Sequence, residues 1–278
     1  MSTLCTLADI IAESKITGEL SADDKAYLYT LIEQASGRLE TVELKLPLEP
    51  RVATYYHDAL RTPVSPDGLT LTLRYPLVEL TSVVLGDGTN ATASVQLRPR
   101  GTSPALMLAM TSTLYHFYQL GGNTLPYEAI AVSGQWCYHP DWANAWAAVD
   151  TLDATINGTT TTITPDNNNT LSAGMLIRIG TEYLRVTEAH DHTATVIRGV
   201  NGTTAASHTA GSVISAFQPA PVIRRVATRW VSYLWSRRAA FEQTSFDGVA
   251  QVTYPTDLPA ELKSVLVNLR PSGIVGGI

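Results

Sequence analysis

Leu69-Thr70-Leu71-Thr72-Leu73-Arg74 alternates apolar and polar side chains with a period of two, the pattern of a strand with one face buried and one wet. The sequence before it keeps a different period. Leu28, Leu31, Ile32, Ala35, Leu39, Val42 and Leu46 are spaced by three and four, which predicts an amphipathic helix. Ser21 stands at its N-cap, Asp23 and Asp24 lie in its first turn, and Pro47 ends it. A shorter stripe of Leu4, Leu7, Ile10 and Ile11 closes at Gly18. Helices followed by a strand block read as an α+β chain.

The period of two continues beyond Arg74. Leu80 to Leu85 runs into Gly86-Asp87-Gly88, a turn, before Val95 and Leu97, and further strands are expected at 106–110, 114–118 and 129–136. Pro140 is expected to open a helix with Trp142, Trp146 and Val149 on one face. Composition shifts at 151. The stretch 151–217 is rich in Thr, Asn and Gly, has no helical period, and predicts a small all-β module. Its expected strands are Thr159–Thr164, Leu176–Ile179, Tyr183–Val186, Ala194–Ile197 and Val213–Phe217, with Asn157-Gly158 and Asn201-Gly202 as hairpin turns.

Helix returns after Pro219 and Pro221. Ile223, Val226, Ala227, Trp230, Val231 and Leu234 form its apolar face, and Arg224, Arg225, Arg229, Arg237 and Arg238 its polar side. A last short helix starts near Asp257 and Pro259, with Leu262, Val265, Leu266 and Leu269 on one face, and stops at Pro271 and Gly273. The expected organisation is therefore a helical core with a strand block over 1–150, an inserted all-β module over 151–217, and returning helices with a tail over 218–278.

Charge is scarce and unevenly placed. Charged residues make up 16% of the chain against about 25% in ordinary globular proteins, which suits a surface partly covered by other protein. Residues 1–150 carry 9 Lys/Arg and 16 Asp/Glu, whereas 220–278 carry 7 and 4. No basic stripe suited to a nucleic-acid groove emerges. Opposite-signed ends favour head-to-tail contact between identical subunits. Two cysteines, Cys5 and Cys137, are too few for a disulfide framework or a cysteine zinc site. Met1 to Ile11 lacks the basic start and apolar run of a secretory signal, so synthesis and folding in the cytosol are expected. No apolar window is long enough for a membrane span.

Chemistry is hard to place. His190 and His192 flank Asp191 between two expected strands, and a solvated loop is the plain reading. Ser207 precedes His208, but sequence adjacency does not make a nucleophile and base meet. G-x-S-x-G, H-E-x-x-H, Walker and G-x-G-x-x-G motifs do not occur. The two Asn-Gly-Thr sequons read as turns. No enzyme activity, cofactor or metal is expected.

Two stretches carry a resemblance. One is the order of an acidic helical N-terminus, a strand ending Ile130-Ala-Val-Ser-Gly-Gln-Trp-Cys-Tyr138, an Arg-rich helix, and a closing Leu258-Pro-Ala-Glu-Leu-Lys-Ser-Val-Leu266. It resembles the head–tail connector (adaptor, or head-completion) proteins of tailed bacteriophages. The other is Gly174-Met-Leu-Ile-Arg-Ile-Gly-Thr-Glu-Tyr-Leu-Arg-Val-Thr187 with Ile197-Arg-Gly-Val-Asn-Gly-Thr-Thr-Ala-Ala-Ser-His208, which is similar to a β-module recurrent in phage virion proteins. The resemblance implies a helical connector core and a homo-oligomer, dodecameric in this family, ringed beneath the portal protein with a tail-proximal connector or stopper below. It also implies that DNA passes through without specific binding. It implies a virion location after synthesis in the host cytoplasm, and docking through the C-terminal segment, here Asp257 to Ile278. Together with the arginines, the expected contact residues are Arg224, Arg225, Arg229, Arg237, Arg238, Leu262, Leu266, Leu269, Ile274 and Ile278. The rival readings are a carbohydrate- or cell-surface-binding β-rich phage protein, which the Thr/Asn-rich module and five tryptophans allow, and a hydrolase of the cell envelope.

Overall fold

The computed structural model describes residues 2–59, 63–101, 103–122, 125–238 and 257–267. They form two compact units. One is Leu46–Trp146 with Asn201–Thr204, and the other comprises Met1–Lys45, Ala147–Val200 and Ala205–Val275 as far as these are described.

The alternation at Leu69–Arg74 lies at the start of the longest strand of the first unit. Its strands are β1 (Arg51–His57), β2 (Thr70–Val84), β3 (Val95–Arg98), β4 (Ala105–Met110) and β5 (Ile130–Trp136). They pair antiparallel in the order β1-β5-β2-β4-β3. Leu71 and Leu73 turn inward with Leu77, Val83, Leu108, Ile130, Val132 and Trp136, all buried. Two register shifts along its pairing with β5 bend β2. At the second shift Gly134 is needed, because a Cβ there would lie 2.3 Å from the carbonyl oxygen of Glu79.

The second unit holds a six-stranded sheet in the order β6-β11-β8-β9-β10-β7. Its strands are β6 (Trp146–Thr151), β7 (Thr162–Ile163), β8 (Leu176–Ile179), β9 (Glu182–His190), β10 (Thr193–Ile197) and β11 (Val213–Phe217). Ile177, Ile179, Leu184, Val186, Val196 and Ile214 fill its core. Beside it lie α1 (Leu7–Glu13), α2 (Ala22–Arg38), α3 (Pro221–Ser236) and α4 (Ala260–Val267). Thr6 and Asp9 close a capping box on α1, and Ser21 caps α2 by accepting from the Asp24 N–H. α1, α2 and α3 pack together over Ile10, Leu28, Ile32, Ile223, Ala227 and Trp230, each almost fully buried. The N-terminal segment is stitched to the sheet: the Leu7 N–H donates to Ala173 O at 3.1 Å and the Thr3 hydroxyl to Gly174 O at 2.6 Å.

The helical connector core is therefore corrected. Among the described residues, antiparallel sheets of five and six strands outweigh four α-helices. The strand block closes a core of its own instead of resting on helices. The compact units also cut the chain differently from the expected domains, joining the β-rich residues after 147 to the helices rather than setting 151–217 apart. The Pro140 helix is a single 3-10 turn, Trp142–Asn144, after which Trp146 starts β6. No strand forms at 114–118. There Phe117 is buried, its N–H bonded to Gly68 O at 2.9 Å, and the Tyr118 hydroxyl donates to Ser65 O. Asn201-Gly202 is a turn but joins no hairpin. Within the strand-block unit, Asn201 accepts from the Val52 N–H at 2.9 Å and donates to Pro50 O at 3.0 Å.

Candidate functional site

Glu182 opens β9, where the first five residues are all buried. A carboxylate in that position is costly unless its oxygens are filled by donors. The short β8–β9 turn, with Gly180 at φ +59, delivers Glu182 opposite Ile179. Its side chain is fully inside, 0% exposed. Arg198 grips it in fork geometry, Nε to Oε1 at 2.7 Å and Nη2 to Oε2 at 2.8 Å. The Gly199 N–H donates to Oε1 and the Ala206 N–H to Oε2, each at 3.0 Å. His208 Nε2 lies 2.8 Å from Oε2.

Arg198 is itself saturated. Its Nη1 donates to Asn157 O at 2.8 Å and Thr160 O at 2.7 Å, and Nη2 to Ala206 O at 2.5 Å. Burial pushes the Glu182 carboxyl up, but the Arg198 fork, the Ala206 and Gly199 amides and the His208 ring together bring it down to about 2. The result is a clasp that holds the segment 198–208 against the start of β9. Both oxygens are occupied, so the carboxylate is placed to hold a fold together and not to accept a substrate proton. The parts of the clasp, Glu182, Arg198, Gly199, Ala206 and His208, all fall within the stretches Gly174–Thr187 and Ile197–His208.

The other residues of chemical interest disperse. His190 Nδ1 lies 3.0 Å from Asp191 with the two side chains 76% and 69% exposed, a solvated pair. Among the described residues no three His, Cys, Asp or Glu side chains converge to hold a metal. His208 turns to Glu182 rather than to a nucleophile. Asn157 Oδ1 accepts from the N–H groups of Thr159 and Thr160, both at 2.9 Å, a side-chain-capped turn. Cys5 and Cys137 are free and buried, and burial raises the Cys5 thiol to about 12.

The arginines expected at a contact divide. Arg224 forks onto Asp9, Nε at 3.1 Å and Nη2 at 2.6 Å, and Arg229 Nε lies 3.4 Å from Glu13, so both engage α1 of the same unit. Arg225 is exposed. Arg237 lies over the Tyr233 ring at 4.6 Å and Arg238 over Trp235 at 3.5 Å. Leu266 is buried and Leu262 half-buried on α4, while Val265 faces out. Leu269, Ile274 and Ile278 lie outside the described residues.

Sequence reading missed Glu182 and Arg198. The available sign was a lone carboxylate in the strand-forming stretch Met175 to Val186, together with Arg-Gly sixteen residues on. No protein-family model matches this chain, and no curated protein matches it either. No helix among the described residues is long and apolar enough to cross a membrane.

Proposed function

We propose that this chain is a structural virion protein, a head–tail connector subunit that assembles with copies of itself beneath a portal and lets DNA pass. The observation that carries its assembly role is a surface of the strand-block unit. Gly101 to Tyr127 contains no charged residue, and within it Leu114, Leu125 and Tyr127 are 79%, 71% and 73% exposed. Solvated segments usually carry charge, and large exposed apolar side chains in an uncharged one support a role in meeting another protein. The finer reading, a connector, rests on the two resembling stretches and not on a helical core. The clasp around Glu182 fits a part that must stay rigid, since it fixes an irregular segment without offering a reactive group.

A sugar-binding reading wants aromatic platforms, and the tryptophans do not form them. Trp136, Trp230 and Trp235 are buried, and Trp142 and Trp146 meet edge-on at 6.5 Å. The test of the connector reading is decoration of portal-bearing, DNA-filled heads by purified protein, seen by electron microscopy. A ring of density at the portal vertex is the expected result. Heads left bare at saturating protein would overturn the reading.

A further inference from the structure

Positive charge is scattered along the sequence, and the strand-block unit gathers three of its arginines. Residues 68–78 and 88–127, which supply the first half of β2 and all of β3 and β4, contain Arg74, Arg98 and Arg100 but no Lys, Asp or Glu. β4 pairs with β2 on one side and β3 on the other, and the register sets Met107 between Thr72 and Arg98. Residues opposite one another on paired strands share a sheet face. Here it is the outward face, since Leu71, Leu73 and Leu108 turn into the core while Met107 and Arg98 are exposed. Arg74 follows Thr72 by two residues, where β2 shifts register against β4, and is exposed too. Arg100 is held beside β3, its Nε donating to Gln96 Oε1 at 3.0 Å.

Arg38, Arg198, Arg224 and Arg229 each meet a carboxylate. Among the described residues Arg74, Arg98 and Arg100 do not. The acids that flank these stretches in sequence are engaged elsewhere. Asp67 accepts from the Leu69 N–H at 3.0 Å, Glu79 from the Gln135 side chain of β5 at 2.7 Å, and Asp87 from the Thr89 N–H at 2.9 Å. Arg74 lies over the Tyr75 ring, 5.3 Å from its centroid, a contact that steadies the guanidinium without neutralising it. Three guanidiniums without carboxylate partners, in a chain of net charge −6, make a local positive field that favours a polyanion.

We infer that the outward face of β2, β4 and β3 contacts the phosphate backbone of duplex DNA without reading its sequence. The choice of DNA rests on the reading of the chain as a connector that DNA traverses. The chemistry of the face supports phosphate over a protein partner. Guanidiniums, the Thr72 hydroxyl and the Gln96 amide are the kinds of group that meet phosphate oxygens. A protein interface wants a central aromatic or Arg anchor seated in a pocket, whereas the apolar group in the row from Thr72 to Arg98 is Met107 alone, 38% exposed. Thr72 and Arg98 stand two strand spacings apart, about 10 Å, on a sheet face that offers no helix or ribbon to enter a groove. Backbone contact without base readout follows. Three charges also hold weakly, which suits a polymer that must move past.

The test uses the full chain and short labelled duplexes of two unrelated sequences, with binding read by fluorescence anisotropy. Three phosphate contacts predict a slope of log K against log salt of about −2.7, so affinity should fall about 500-fold between about 0.02 M and about 0.2 M salt, alike for both sequences. Arg74→Ala, Arg98→Ala and Arg100→Ala should each make the slope shallower by about 0.9, and the three Arg→Lys changes together should keep it, because a phosphate contact needs the charge more than the fork. Circular dichroism should not change, since all three side chains are exposed. If Arg74→Ala fails to fold, the other two decide. No binding at about 0.02 M salt, a strong preference for one sequence, or a triple Ala variant that binds as the parent does would each overturn the inference. A triple Ala variant that keeps DNA binding but loses self-association would give the face to a second copy instead. Parent protein that decorates heads yet binds no DNA would overturn this inference alone, whereas bare heads would overturn the connector reading, so the two failures are distinguishable.

Discussion

Glu182 carries its charge at a depth where an unpaired carboxylate would take up a proton. Removing one partner of a buried pair leaves the other uncompensated, so Glu182→Gln should cost about 3 kcal/mol. Denaturant unfolding checks this, with hydrogen exchange at β8 and β9 as the local reading; a variant as stable as the parent would refute the clasp. His57 makes the opposite demand. Burial holds its imidazole neutral, with the pKa lowered to about 4, and its Nε2 accepts the Arg74 N–H at 3.2 Å. The unfolded chain binds that proton near the ordinary value of 6.5 and the folded one does not. Stability of the strand-block unit is therefore full above pH 6.5 and declines as pH falls toward 4, by about 1.4 kcal/mol per unit. The Glu182 contribution is present above pH 4.5 and lost toward 2. Urea midpoints of parent and His57→Asn across this range should converge as pH drops from 6.5 to 4; parallel curves would contradict the assignment. Gly202 has φ +85, and a Cβ there would sit 2.0 Å from Val52 O. Gly202→Ala should destabilise the strand-block unit by about 2 kcal/mol or more, measured by its urea midpoint.

At the scale of elements, α3 separates arginines that hold the fold, Arg224 and Arg229, from Arg225, which is exposed. Arg224→Ala breaks the fork to Asp9 and should cost about 1 kcal/mol in thermal unfolding, the two side chains being partly solvated, whereas Arg225→Ala should change stability by less than about 0.5 kcal/mol. Equal costs would remove the distinction. α2, α3, β8 and β11 were legible in the sequence because their apolar spacing and their burial agree: the β8 and β11 bounds match the expected ones, and Pro221 starts α3. The Pro140 segment misled because Trp142 and Trp146 are four apart, a helical spacing, while Trp146 belongs to an edge strand. Tertiary pairing overrode local preference there. The clasp was not legible as a site because its donors lie sixteen to twenty-six residues from Glu182, and only the fold brings them to one carboxylate.

Over the whole molecule, the charge asymmetry that suggested attraction between subunits is partly consumed inside one unit. Asp9 pairs with Arg224, Glu13 with Arg229 and Arg38 with Asp257. On the proposed reading, assembly falls to apolar groups such as Leu114, Leu125 and Tyr127, which are exposed within a segment that carries no charge. Association through apolar groups resists salt, since screening acts on charges and not on apolar burial. The central claim, that this chain works as an assembled subunit, is tested most directly by its mass in solution. Sedimentation or light scattering of the purified protein should give one closed oligomer, of the same mass at about 0.1 M and about 1 M salt. A monomer at every concentration and salt would contradict the account.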